Sequence, residues 1–208
     1  MSPATARTAA VLEPATVYFL IMIYIWELRP SHPEAWLPIL AWMIVSHGLR
    51  GEDPGALGFE VRRLRACFVE FAPSLIFLVL LFLAAGFLFR SVRPVHFHGF
   101  LSAWGAYLPW GLLQQYVMNG YFLNRLESLT PRNAPLLVAL LFSGAHLPNW
   151  FLMGIGLLMG YCSAQIYRKH KNLYFLGFAH ATIGAVLILV VPDSVSHHMT
   201  VGPSWFRA

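Results

Sequence analysis

Residues 66–90 read ACFVEFAPSLIFLVLLFLAAGFLFR. Nothing between Phe71 and Phe89 is charged, a run close to the roughly 20 apolar residues a helix needs to cross a bilayer. In hydrocarbon a chain must satisfy its own backbone hydrogen bonds, which a helix does and an isolated strand does not. Similar apolar runs recur on both sides. Polar breaks between them predict helices at 15–28, 35–49, 66–90, 99–125, 133–147, 149–168 and 173–191. That is about seven helices, or about six to eight because the first two are short for a bilayer. Pro73 and Pro109 fall inside two of the runs, where each removes a backbone donor and is expected to kink or divide its helix.

Composition points the same way. The chain is 58% hydrophobic and 11% charged, against about 25% charged in a soluble domain, and its mean hydropathy is +0.61. A soluble globule is excluded, and the fold class expected is all-α, a polytopic transmembrane helical bundle. The sole sizeable polar loop, 50–65, is too short for a separate fold, so residues 1–208 are expected to form a single membrane domain. The net charge of +5 is scattered over short loops, which argues against a nucleic-acid partner and for a topological role. Of the 14 Lys and Arg, ten fall on alternate loops of one side: Arg7, Arg50, Arg62, Arg63, Arg65, Arg125, Arg132, Arg168, Lys169 and Lys171. The positive-inside rule then predicts a cytoplasmic N-terminus in a cell membrane, with a bacterial inner membrane the expected setting. Cys67 and Cys162 have no CxxC spacing and form no disulfide framework.

Polar side chains at membrane depth are costly and tend to face a bundle interior. Three groups stand out. Gln114 and Gln115 are followed by Asn119, which shares a helical face with Gln115. Phe142 precedes His146 by one turn, and His180 lies in the middle of the last long helix. Interhelical hydrogen bonding explains each group taken singly. Together they predict a shared, hydrated cavity, because a buried imidazole needs partners to offset its desolvation. His96, His98, His197 and His198 complete no zinc-hydrolase pattern, so neither a metal nor another cofactor is expected.

Phe142-x-x-x-His146 with the following Leu147-Pro148-Asn149, the Gly156 to Tyr161 stretch, the basic turn Arg168 to Lys171 and His180 in a terminal helix together resemble the CPBP family of CAAX proteases and bacteriocin-processing enzymes. The resemblance covers mainly residues 105–190. It implies a multi-pass membrane endopeptidase acting on membrane-associated peptides or prenylated proteins, with membrane lipid as the other partner. In that family there is a Glu-Glu pair followed, after three intervening residues, by Arg and Gly; its first glutamate activates water, while two histidines and a final Asn or Asp position it and hold the oxyanion.

The departures fall on the chemistry. Gln114 and Gln115 replace the acids, Asn119 replaces the arginine before a retained Gly120, and Gly184 replaces the final Asn or Asp. His146 and His180 keep their implied roles, and the general base is lost, at a typical cost of about 10² to 10⁴ in rate. Two outcomes stay open at this point, so the sequence does not decide whether the chain is an enzyme. One is an endopeptidase, impaired or served by a base from elsewhere, with Glu70 as the substitute. The other is a non-catalytic membrane protein using the inherited cavity to hold a peptide, lipid or partner helix. The favoured place for Glu70 is the interface, paired with Arg62, Arg63 or Arg65, and Glu27 and Glu127 read as interfacial or solvated.

Overall fold

A computed structural model describes residues 3–207, with side chains from Ala10 onward, so the Arg7 side chain lies outside the described residues. The described chain is all-helical. Helix α1 spans Pro3–Ile23 and runs on through a π-helical turn, Tyr24–Leu28; α2 spans Trp36–Leu49 and α3 Leu64–Leu88. Helix α4, Phe97–Gln115, continues as a π-helical segment, Tyr116–Leu123, and ends in the short α5, Asn124–Glu127. Then follow α6 (Ala134–Gly144), α7 (Trp150–His170) and α8 (Leu173–Val190). The short α9 (Asp193–Ser196) and a 3-10 turn (Gly202–Arg207) close the chain, two elements the hydropathy pattern did not predict.

Four helical stretches are long and apolar enough to cross a membrane: Ala10–Leu28, Val61–Leu88, Trp150–His170 and Leu173–Val190. On α3, Ile76, Phe77, Leu80, Leu81, Phe87 and Leu88 all face outward. An apolar face of that extent is stable against lipid and not against water, which makes this a membrane protein. Pro73 and Pro109 sit inside continuous α-helix, and the irregularity in the fourth run falls after Gln115 instead.

Asparagine caps mark two of the helix starts. Asn149 accepts from the Leu152 amide (3.1 Å) and Asn172 from the Phe175 amide (2.9 Å), both fully buried; a cap of this kind contributes about 1 kcal/mol. Each amide nitrogen then ties its helix to distant backbone. Asn149 donates to the carbonyls of Ser196 (2.8 Å) and Thr200 (3.0 Å), and Asn172 to that of Glu60 (2.6 Å). The α7 N-terminus is thereby clamped to the C-terminal tail. Beside it, Arg93 donates to Asp193 (3.0 Å) and holds that carboxyl below its ordinary range.

Helices α4 and α8 approach closely. A Cβ on Gly177 would lie 2.8 Å from the Leu112 Cα, and one on Gly111 would lie 2.8 Å from the Gly177 carbonyl oxygen. Only the absence of side chains at both positions lets the backbones meet, as at other membrane helix crossings. This crossing sets the height of Gln115 relative to His180.

Candidate functional site

A cavity of about 640 Å³ opens among α1, α2, α4, α6, α7 and α8, its walls mostly aliphatic and aromatic. One end is polar. Gln114, Gln115, His146, His180 and Tyr107 all reach it, with Phe142 and Gly184 in its wall. Asn119 stands one step behind, fully buried, and donates through Nδ2 to the Gln115 Oε1 (2.7 Å). With its oxygen so occupied, Gln115 directs Nε2 at the His180 Nδ1 (3.1 Å). An amide nitrogen only donates, so His180 Nδ1 accepts and the ring hydrogen sits on Nε2. The two amides form a relay that sets the tautomer of one histidine.

The other histidine is set the opposite way. His146, just past the end of α6, has its Nδ1 2.7 Å from the Phe142 carbonyl oxygen. A carbonyl only accepts, so Nδ1 carries the hydrogen and Nε2 keeps a free lone pair. The Phe142 ring contacts both imidazoles, with centroids 4.7 Å from His146 and 5.9 Å from His180. One end of the cavity thus holds an acceptor and a donor on neighbouring imidazoles. Among the described residues no Asp or Glu lines it, and no group of three or more His, Cys, Asp or Glu is arranged to hold a metal ion.

Glu70 is not brought to this cavity. Its carboxylate is exposed on α3 and held by Lys169 and by His170 Nε2 (2.9 Å), not by Arg62, Arg63 or Arg65. The α7 C-terminus reaches α3 at that height, whereas the three arginines precede or open α3 on other faces. Glu127 pairs with Arg168 (2.9 Å) and Glu27 is exposed.

A second polar cluster was not anticipated from the sequence. Arg125 is not a loop cation: it is only 4% exposed, and its Nη1 donates to both oxygens of Glu52 (2.7 and 2.9 Å). Its Nη2 reaches the Ser46 hydroxyl (3.2 Å) and its Nε the Glu13 carboxylate (3.5 Å). Glu13 also accepts from Tyr121 (3.0 Å), Ser46 and Arg50, and His47 meets Glu52. Burial pushes the Glu52 carboxyl up, but the hydrogen bonds from Arg125 and His47 outweigh it and hold that group below its ordinary range. The cluster fastens the α1–α2 hairpin, which forms one wall of the cavity, to the end of the fourth run. Glu13 within an apolar run and His47 near the end of α2 were the signals available in the sequence.

Residues 96–186 match the family of type II CAAX prenyl endopeptidases described as Rce1-like. Over this segment the chain is similar to CAAX protease-like membrane endopeptidases. The matched segment contains every polar residue named at the cavity end, from Tyr107 to His180, while Glu13, His47 and Glu52 lie before it. No curated protein and no solved structure matches the chain.

Proposed function

We propose that the chain is a membrane endopeptidase that hydrolyses a peptide bond in a membrane-associated or prenylated protein substrate, with a histidine in place of the family's glutamate base. The observation that carries this reading is the opposed pair of tautomers at the polar end of the cavity. Water hydrogen-bonded to the His146 Nε2 attacks the scissile carbonyl carbon. The new C–O bond forms as the carbonyl π pair moves onto oxygen, and the water proton passes to His146. His180 Nε2–H donates to the oxyanion, the kind of preorganised contact that stabilises such states most. Collapse re-forms the carbonyl, breaks the C–N bond, and returns the proton from His146 to the leaving amine.

The apolar remainder of the cavity suits a lipidated or hydrophobic peptide segment entering from the bilayer. In this reading residues 1–208 act as one membrane domain with the N-terminus cytoplasmic. Arg50 just after α2 and Arg168 and Lys169 in the last turn of α7, basic residues at alternate connections, support that orientation.

The test is cleavage by purified protein in detergent, using prenylated and leader-peptide substrates. Wild-type protein is expected to cleave at least one class, and His146→Ala is expected to lower kcat by about 10² or more. Equal rates for wild type and His146→Ala would remove the reading. A second reading has its own support: among the described residues the cavity holds no carboxylate. It takes the chain as a non-catalytic binder of peptide, lipid or a partner helix. Saturable binding of an intact substrate peptide with no cleavage product would favour it.

A further inference from the structure

In this chain the α8 position one turn after His180 is Gly184, which has no side chain to offer the cavity. The space beside it is nevertheless filled. A Cβ built on Gly184 would lie 2.7 Å from Cε1 of Tyr107 and 3.4 Å from its Cζ. The phenol ring of Tyr107, from α4, therefore stands in the volume that an α8 side chain would enter. Tyr107, Gly111 and Gln115 are spaced four residues apart on α4, so they share the face turned to α8. His180 is bracketed by two residues of that face: Gln115 on its Nδ1 at 3.1 Å, and the Tyr107 ring with centroids 6.2 Å apart. The Tyr107 hydroxyl has no hydrogen-bond partner among the described residues, and its ring lines the cavity. A phenol at a cavity wall without a partner is a donor available to a bound molecule.

We propose that Tyr107 is a catalytic residue of this site, its hydroxyl donating to the substrate carbonyl oxygen beside His180 Nε2–H. The proposal deepens the endopeptidase reading and rests on it for the identity of the bound group. Gly184 and Tyr107 are then a reciprocal exchange, in which α8 gives up a side chain and α4 supplies a donor from across the crossing. The hydroxyl forms no covalent bond. It makes one hydrogen bond that strengthens as the carbonyl oxygen gains charge.

The experiment compares binding of two probes to detergent-purified protein: an intact substrate peptide, and a phosphinate peptide of the same sequence whose tetrahedral anion mimics the oxyanion. Tyr107→Phe keeps the ring against Gly184 and removes only the hydroxyl. It is expected to raise the phosphinate Kd by about 10²- to 10³-fold, the size of single oxyanion-donor effects, to raise the intact-peptide Kd far less, and to leave the melting temperature unchanged. Equal change for both probes, no change for either, or no phosphinate binding by wild type would overturn the proposal. Turnover is read separately. A wild type that never cleaves, yet loses phosphinate affinity in Tyr107→Phe, would remove the endopeptidase reading and with it the catalytic role, and leave Tyr107 as a donor to a bound anion. Gly184→Asn adds a further check, since with Tyr107 in place it is expected to lower the melting temperature, and with Tyr107→Ala it is not.

Discussion

Replacing Arg125 by methionine tests whether the buried ion cluster holds the cavity wall in place. Methionine keeps much of the length and apolar volume of the side chain and deletes the guanidinium. Two near-ideal bonds to Glu52, at 2.7 and 2.9 Å, are lost with the contacts to Ser46 and Glu13. Glu52 keeps only His47 as a side-chain partner, and Glu13 keeps Arg50. Because Arg125 is 4% exposed, water replaces little of what is lost. Breaking one side of a buried pair costs about 3 to 5 kcal/mol. At about 2 to 4 °C per kcal/mol for a chain of this length, the melting temperature falls by about 6 to 20 °C. The assay is thermal unfolding of purified protein in detergent, run beside Glu52→Gln and the double variant. The double variant is expected to lose less than the sum of the singles, since the orphaned carboxylate is then absent. A drop below about 3 °C in Arg125→Met, or strict additivity, would refute the idea that this cluster carries the α1–α2 hairpin.

Acid should act through the same cluster. Glu52 has a folded-state pKa lowered from 4.5, so its contribution is complete above about pH 4.5 and is lost as pH falls through the lowered value. Wild-type melting temperature is therefore expected to drop below pH 4.5 by more than that of Glu52→Gln, and parallel curves would count against it. Gly177→Ala should force α4 from α8, break the Gln115–His180 contact and cost about 1 to 3 kcal/mol, seen as a lower melting temperature with reduced cleavage; unchanged behaviour would mean the crossing is looser than 2.8 Å implies. Gln114→Glu puts a carboxylate on the cavity wall where Gln114 makes no hydrogen bond among the described residues. If only a strong base is missing, turnover rises by about 10² or more, and no gain in stably folded protein would show that a carboxylate there cannot reach the water. Glu70→Gln is expected to leave kcat and melting temperature unchanged, because Glu70 is exposed on α3 and pairs with Lys169 and His170 of α7 away from the cavity; loss of turnover would return Glu70 to the reaction.

The helical runs were legible because membrane crossing imposes a length on contiguous apolar sequence, and that signal is local. Residues 173–191 and 35–49 were read within a residue or so of α8 and α2 for this reason. The meeting of the amide pair with His146 and His180 was legible on a different argument, the cost of leaving each polar group alone in hydrocarbon. What the arrangement does chemically remains the proposal made above. The Arg125 cluster was not legible, because its members come from positions as far apart as 112 residues and each looks ordinary in its own segment. Arg125 follows an apolar run, as a loop cation would, and only packing shows that α1 and α2 close over it. The exchange between Tyr107 and Gly184 escaped for the same reason. A glycine reads as a loss until the side chain filling its space is known.

The π-helical segment Tyr116–Leu123 divides the fourth run into two parts that do different things. Upstream are Tyr107 and Gln115, which serve the cavity, and downstream is Arg125, which fastens the hairpin. A π segment of this kind equals one residue more than an α-helix would hold over the same rise. Deleting a single residue within it is therefore absorbed as ordinary α-helix, and the residues on either side keep their height and facing. Tyr107 and Gln115 then stay on the cavity, and Arg125 stays on Glu52. The segment thus gives the chain a place where its length can change by one residue in the course of descent, with neither the chamber nor the fastening of its wall displaced.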